Sequence, residues 1–182
     1  SKLNASIASS VGVKDHQVQN KVASQLTSLG FHEMLNNSLT SPKYTQLSDT
    51  LNEQHSVTIL NPLSNELSVM RQSMLFGALE SLAYNTKRKA ANVKLFEFGK
   101  TYKHFETTRE EQKHLSLEVA GNKTENTWSS QIGSADFFYF KGVITAILDR
   151  LGFSLFSEKE IELERTVLGK KYKPKTMYEI LN

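Results

Sequence analysis

Apolar residues recur every three or four positions in three stretches of this chain, and that period predicts three amphipathic helices. The first helix contains Val18, Val22, Leu26 and Leu29. Asp15 is expected to cap its start, because a carboxylate accepts backbone N–H groups there, and Gly30 to end it. The second helix is predicted from Ser73, as its N-cap, to about residue 87, and the third over residues 137–151.

Four other segments have the composition or alternation of β-strands. They are residues 31–39, 57–60, 93–105 and 114–121. An interruption of the third strand is expected at Gly99 and Lys100. The fourth alternates apolar and polar residues strictly, which predicts an antiparallel strand with one face in solvent. Because helices and strands do not alternate regularly along the chain, the fold class predicted is α+β.

The size and composition fit a folded domain. The chain has 182 residues, of which 38% are hydrophobic and 23% charged, so a single domain over residues 1–182 is expected, with 1–14 as a loose arm and 166–182 as a tail of undefined structure. Cysteine is absent, which excludes disulfides and thiolate chemistry and fits a cytoplasmic location. No apolar run approaches the roughly 20 residues that cross a membrane, and the first residues lack a signal-peptide pattern.

Charge and histidine spacing give little support to a binding site. The formal net charge is +3, which is too small to identify a nucleic-acid binder. The basic run Lys87, Arg88 and Lys89 could meet RNA phosphates, but cations also stabilise the carbonyl end of a helix. The five histidines never have the spacing that places two on one metal, so no metal site is expected.

Glu97 is the most informative charged residue, because it lies inside an otherwise apolar strand. An unpaired carboxylate would be costly in that position, so Glu97 either faces solvent or has a fixed partner. Arg71, just before the second helix, is the first candidate for that partner.

A longer combination of residues resembles one family. The segment from residue 60 to 102 contains an N-P-L-S-x-E turn, the sequence M-R-x-S, a helix ending in Y-N, and the strand sequence F-E-x-G. Together these motifs resemble the beta chain of phenylalanine–tRNA ligases, which has a class II aminoacyl-tRNA synthetase fold. The resemblance extends to Trp128 and to the start of the third helix, and fades after about residue 164. It implies a mixed, mainly antiparallel sheet flanked by helices, in a fragment of a longer chain.

The same comparison argues against catalysis by this domain. Active class II enzymes carry F-R-x-E in their second motif, where the arginine grips the α-phosphate of ATP. Here Lys103 and Phe105 stand at the arginine and glutamate positions. Lysine lacks the planar fork that holds phosphate oxygens, and phenylalanine has no acceptor. The glycine-rich third motif is not found.

The resemblance therefore implies a non-catalytic scaffold that supports the alpha subunit of an α2β2 enzyme, which uses ATP and magnesium to join phenylalanine to tRNA. No catalytic, cofactor or metal residue is expected in this domain. Residues 17–39 and 73–87 are the expected interface elements. The structural or interface candidates are Asn61, Pro62, Glu66, Met70, Arg71, Asn85, Glu97 and Gly99. An RNA-binding module and an active ligase core with a divergent second motif remain the alternatives.

Overall fold

A computed structural model of the chain describes residues 15–123 and 133–153, together with the backbone of residues 178–180. The three helices in these ranges are α1 (Asp15–Ser28), α2 (Leu75–Lys87) and α3 (Phe137–Leu151). The six strands are β1 (His32–Glu33), β2 (Leu39–Thr40), β3 (Val69–Met70), β4 (Val93–His104), β5 (Arg109–Ala120) and β6 (Tyr178–Ile180). Short 3-10 helices span Pro42–Leu47, Glu53–His55 and Asn65–Leu67.

The β4–β5 hairpin is the centre of the larger sheet. Its strands pair along their whole length, from Val93 opposite Ala120 to His104 opposite Arg109. The sheet order is β1-β4-β5-β6, with β1 parallel to β4 and the other pairs antiparallel. A second, two-stranded sheet pairs β2 with β3. The predicted α+β class with a mainly antiparallel sheet is confirmed.

One face of the hairpin forms the hydrophobic core with α1 and α3. Phe96 and Leu117 lie opposite each other on this face, and each is only 1% exposed. They pack against the apolar stripes of the two helices, which contribute Val22, Leu26, Phe140, Val143, Ile144 and Ile147. The helical periods seen in the sequence therefore mark the sides of α1 and α3 that face this sheet.

All three predicted helices are present, with differences at their starts. Asp15 is the first residue of α1, and its carboxylate pairs with Lys113 on β5. Helix α2 begins at Leu75, one residue later than a Ser73 cap implies, although the Ser73 hydroxyl still accepts from Leu75 N–H at 3.1 Å. Gly30 follows α1 with a φ of 82°, as expected for a glycine that ends a helix.

Three strand predictions need correction. Residues 31–39 form no continuous strand: β1 ends at Glu33 and β2 starts at Leu39, and Asn36 between them donates to Glu97. Residues 57–60 contribute only the isolated bridge between Thr58 and Val69. Strand β4 continues through Gly99 and Lys100 without interruption.

The predicted arm at residues 1–14, Trp128 and most of the tail at 166–182 lie outside the described residues. Within the described ranges, no helix has the length and apolar character that crossing a membrane requires.

Candidate functional site: the buried polar face of the hairpin

The second face of the β4–β5 hairpin is polar and yet buried. Its members alternate with the core residues along both strands, as side chains do in any strand. They are Glu97, Thr101, His114, Ser116 and Glu118, none of them more than 5% exposed. The prediction that β5 would have one face in solvent is therefore wrong. Helix α2 and the residues just before it cover that face, which the alternation itself could not reveal.

Arg71 and Glu97 form an ion pair at the centre of this face. Nη1 of Arg71 lies 2.8 Å from Oε1 of Glu97, with the side chains 6% and 1% exposed. The Nε group of Arg71 also donates to the Lys100 carbonyl at 2.9 Å. The predicted partner of Glu97 is thus the partner found. Two charges withdrawn from water need this degree of pairing and hydrogen bonding, because their desolvation is expensive.

The backbone of Arg71 is fixed as firmly as its side chain. Its N–H donates to the Ser38 carbonyl at 2.9 Å, and its own carbonyl accepts from Tyr102 N–H at 2.9 Å. These bonds hold the residue between the segment after β1 and the second half of β4. The backbone from which the guanidinium extends is therefore held in place, and so is the partner of the guanidinium.

Asn36 completes the coordination of Glu97, and sequence reasoning missed it. Its Nδ2 donates to Oε2 of Glu97 at 2.8 Å, and its Oδ1 accepts from the Ser81 hydroxyl of α2 at 2.7 Å. Gly77 permits this approach, because a Cβ there would lie only 3.2 Å from Cβ of Asn36. Asparagine is depleted in strands, so its place in a segment with strand-like composition was the one available signal.

Gly99 allows Arg71 and Met74 to close over the hairpin. A Cβ at this position would lie 2.2 Å from both Nη2 of Arg71 and Cε of Met74. Real Cβ atoms do not approach other heavy atoms so closely, so any larger residue would displace one of the two side chains. The glycine in F-E-x-G therefore has a packing role, and it creates no break in the strand.

His114 lies beside Gly99 on the neighbouring strand. Its Nε2 is 2.7 Å from the Thr101 hydroxyl, and the residue is 5% exposed. Burial lowers the pKa of His114 below its usual 6.5, and the positive charges of Lys103 and Arg71 lower that pKa further. The imidazole is thus held in its neutral form within this polar face.

The two positions that depart from the second motif lie at the far end of the hairpin. Lys103 is half-buried on β4, opposite Glu110. Phe105 begins the loop that joins β4 to β5, is 37% exposed, and has its ring centroid 4.7 Å from that of His55. Neither side chain supplies the bidentate phosphate donor or the carboxylate that an ATP site of this type uses.

The remaining candidates from the sequence lie apart from this face. Asn61, Pro62 and Glu66 are on the exposed loop between Thr58 and Val69, where Glu66 pairs with Lys43 at 3.7 Å. Met70 is the last residue of β3 and directly precedes Arg71. Asn85 lies in α2, where its Nδ2 donates to the Ser81 carbonyl. The structure therefore brings Arg71, Glu97 and Gly99 together and leaves the loop residues separate.

The acidic and histidine side chains of the described residues do not group into a metal site. In residues 15–123 and 133–153, no cluster of three or more histidine, aspartate or glutamate side chains could hold a metal ion.

Comparison with known proteins gives a consistent family assignment. The family model described as the phenylalanyl tRNA synthetase beta chain CLM domain matches residues 4–173. A phenylalanine–tRNA ligase beta subunit from Bacteroides thetaiotaomicron is 41% identical over 152 residues, which are 78% of this chain and 18% of that protein. The corresponding subunit from Porphyromonas gingivalis is 36% identical over 143 residues, 74% of this chain and 18% of that protein.

Solved structures show the fold at lower identity. An ATP phosphoribosyltransferase regulatory subunit/histidyl-tRNA synthetase from Bacillus halodurans C aligns with a TM-score of 0.57 and 17% identity, over 76% of this chain and 34% of that one. The pyrrolysyl-tRNA synthetase PylSc from Desulfitobacterium hafniense aligns with a TM-score of 0.55 and 18% identity, over 84% and 49%.

The chain spans about a fifth of the length of these curated relatives. Its sequence match and its class II synthetase-like fold agree: the chain belongs to the phenylalanyl-tRNA synthetase beta chain CLM domain family.

Proposed function

We propose that this domain is a non-catalytic scaffold of a phenylalanine–tRNA ligase beta subunit. In this proposal it supports an alpha subunit, which performs the ATP-dependent attachment of phenylalanine to tRNA. The observation that carries the proposal is the closed polar face of the hairpin, whose arginine and central carboxylate are both buried and already paired. A substrate site needs polar groups that are free to meet a ligand.

Phosphate binding by this face would require an available arginine fork. Arg71 has its fork committed to Glu97 and to the Lys100 carbonyl, at 2.8 and 2.9 Å. Lys103 offers a single ammonium group, which cannot make the planar bidentate contact of a guanidinium. An active ligase core is therefore the weaker interpretation.

A scaffold role gives this polar network a purpose. Arg71 binds the backbone of Ser38, and Asn36 links Glu97 to Ser81 of α2. The contacts thus join the segment after β1 and helix α2, which belong to the two proposed interface elements at residues 17–39 and 73–87. A fixed separation between two contact elements lowers the ordering cost of binding a partner.

The wider setting belongs to the proposal as well. The whole enzyme would be a cytoplasmic α2β2 heterotetramer that uses ATP and Mg²⁺, with tRNA bound through the complete assembly. This domain would contribute structure to that enzyme and none of the reacting groups.

Two experiments test the proposal. Isothermal titration of ATP with Mg²⁺ into the purified chain should give no saturable heat, while the intact alpha–beta complex, as the positive control, should bind. Saturable ATP binding by the chain, lost in Lys103→Ala, would favour the active-core alternative. Co-expression with a tagged alpha subunit should recover the chain in a complex, and a failure to co-purify would contradict the supporting role.

A further inference from the structure

We propose that the C-terminal end of α2 is a contact surface for RNA. The surface comprises Tyr84, Lys87, Arg88 and Lys89 and is called the basic corner below. All four residues are exposed. Tyr84 and Lys87 are in the last turn of α2, within the interface element proposed at residues 73–87, and Arg88 and Lys89 follow the helix.

Three consecutive cations, Lys87, Arg88 and Lys89, give this corner a local cluster of positive charge. Within the described part of the chain, no carboxylate lies within the 4.0 Å of an ion pair from Lys87, Arg88 or Lys89. The end of the helix dipole offsets only about half an elementary charge, so an excess of positive charge remains for an anionic partner.

Arg88 and Tyr84 add a planar surface to this charge. The guanidinium carbon of Arg88 lies 3.3 Å from the centroid of the Tyr84 ring, and Nη1 donates to the Tyr84 carbonyl at 3.3 Å. The guanidinium is thereby held in place before any ligand arrives. Tyr84 is 56% exposed despite this contact. Aromatic rings and arginine planes are the groups on which unpaired bases stack.

Lys89 occupies a backbone conformation that favours glycine. Its φ of 67° makes it the only non-glycine residue with positive φ in the described part of the chain. The position follows the C-cap residue Arg88, where helices most often place glycine. A lysine held in an unfavourable conformation at a basic surface points to a use for its side chain.

These features fit RNA better than other anionic partners. A membrane surface would require several large apolar residues beside the cations, but apart from Tyr84 the neighbouring exposed residues are Ala83, Thr86 and Ala91. An acidic protein segment could satisfy the charges but would not need the stacked pair of Tyr84 and Arg88. RNA can use both parts of the corner, because its phosphates can meet the cations and its bases can stack on Tyr84 and Arg88.

The test measures the affinity of the full 182-residue chain for a labelled single-stranded RNA by fluorescence anisotropy at several salt concentrations. The variant K87Q/R88Q/K89Q should bind at least roughly ten-fold more weakly at low salt, because phosphate contacts dominate affinity there. Its slope of log affinity against log salt should fall by about 2, since each phosphate contact on a single strand contributes about 0.7. Tyr84→Leu should weaken binding without changing the slope, because it removes stacking alone.

The matched control is K21Q/R109Q/R150Q, which removes the same charge from exposed positions on α1, β5 and α3. This control should retain the wild-type salt slope, and circular dichroism should show all variants folded. Absence of RNA binding by the wild-type chain would overturn the proposal, as would equal loss in the control. Binding to an aspartate-rich peptide or to phosphatidylserine vesicles, without RNA binding, would assign the corner to that partner instead.

Discussion

Arg71 donates to Glu97 across 2.8 Å in a position where both side chains are almost completely buried. Removing one partner leaves the other charge buried without compensation, which costs about 3–5 kcal/mol. We therefore expect Arg71→Met to lower the free energy of unfolding by that amount in urea titration. R71M/E97M should recover part of the loss, because both charges are then absent.

Lys43 and Glu66 provide the control for this prediction. They form an ion pair at 3.7 Å, with side chains 75% and 77% exposed. Lys43→Met should cost no more than about 1 kcal/mol, since solvent screens exposed pairs. Equal costs for Arg71→Met and Lys43→Met would show that burial of the Arg71–Glu97 pair is energetically unimportant.

Replacement by alanine should lower the stability of the fold at Gly99 and raise it at Gly142. Gly99→Ala places a Cβ against Arg71 and Met74, and we expect a loss of about 1–3 kcal/mol from overpacking. Gly142 lies inside α3, where an added Cβ would have no heavy atom within 4 Å apart from its chain neighbours and the backbone of the helix itself, so Gly142→Ala should stabilise the helix by up to about 1 kcal/mol. Thermal unfolding measures both, and a neutral Gly99→Ala would contradict the close packing.

His114 should make the folded state sensitive to mild acid. Its folded pKa is lowered from the usual 6.5 by burial, so the unfolded chain takes up a proton first as the pH falls. The stability contribution is present above pH 6.5 and is lost as the pH drops from there towards the folded pKa. His114→Gln should flatten the dependence of melting temperature on pH in this window.

Asp15 and Asp136 do not contribute to this pH window. Lys113 lowers the pKa of Asp15, and the Tyr139 N–H lowers that of Asp136, so both titrate below 3.8. An unchanged pH profile in His114→Gln would assign the acid sensitivity to other groups.

Tyr44 should lose its proton at a higher pH than an ordinary tyrosine. Burial and the contact with Glu80 raise the pKa of Tyr44 to about 12. Its contribution to stability is therefore present below pH 10 and is lost as the pH rises towards 12. Tyrosinate absorbance, read after rapid jumps to a series of pH values, should show an ionisation step near the high end of the series that is absent in Tyr44→Phe. Identical profiles for Tyr44→Phe and the wild type would contradict the raised pKa.

Sequence patterns were sufficient for the three helices and for the approximate positions of the two long strands, although β5 starts at Arg109, five residues before the predicted start at 114. They also indicated the Arg71–Glu97 pair, because a charge inside an apolar strand needs a partner. They could not show that the Ser116 and Glu118 face is buried, since alternation defines which residues share a face and not what covers that face. The role of Asn36 was equally hidden, because its partner Glu97 lies 61 residues away.

The chemical difference between the two faces of the hairpin has a consequence for misfolding. A slip of one residue between β4 and β5 would turn Glu118 towards the apolar core and Leu117 towards the guanidinium of Arg71. Both changes carry a desolvation penalty. Glu118 would be a buried charge without a partner, and Arg71 would be a buried charge with an apolar neighbour. A one-residue slip therefore has no energy similar to that of the native pairing, and the chemistry of the two faces fixes which side of each twelve-residue strand turns towards the core.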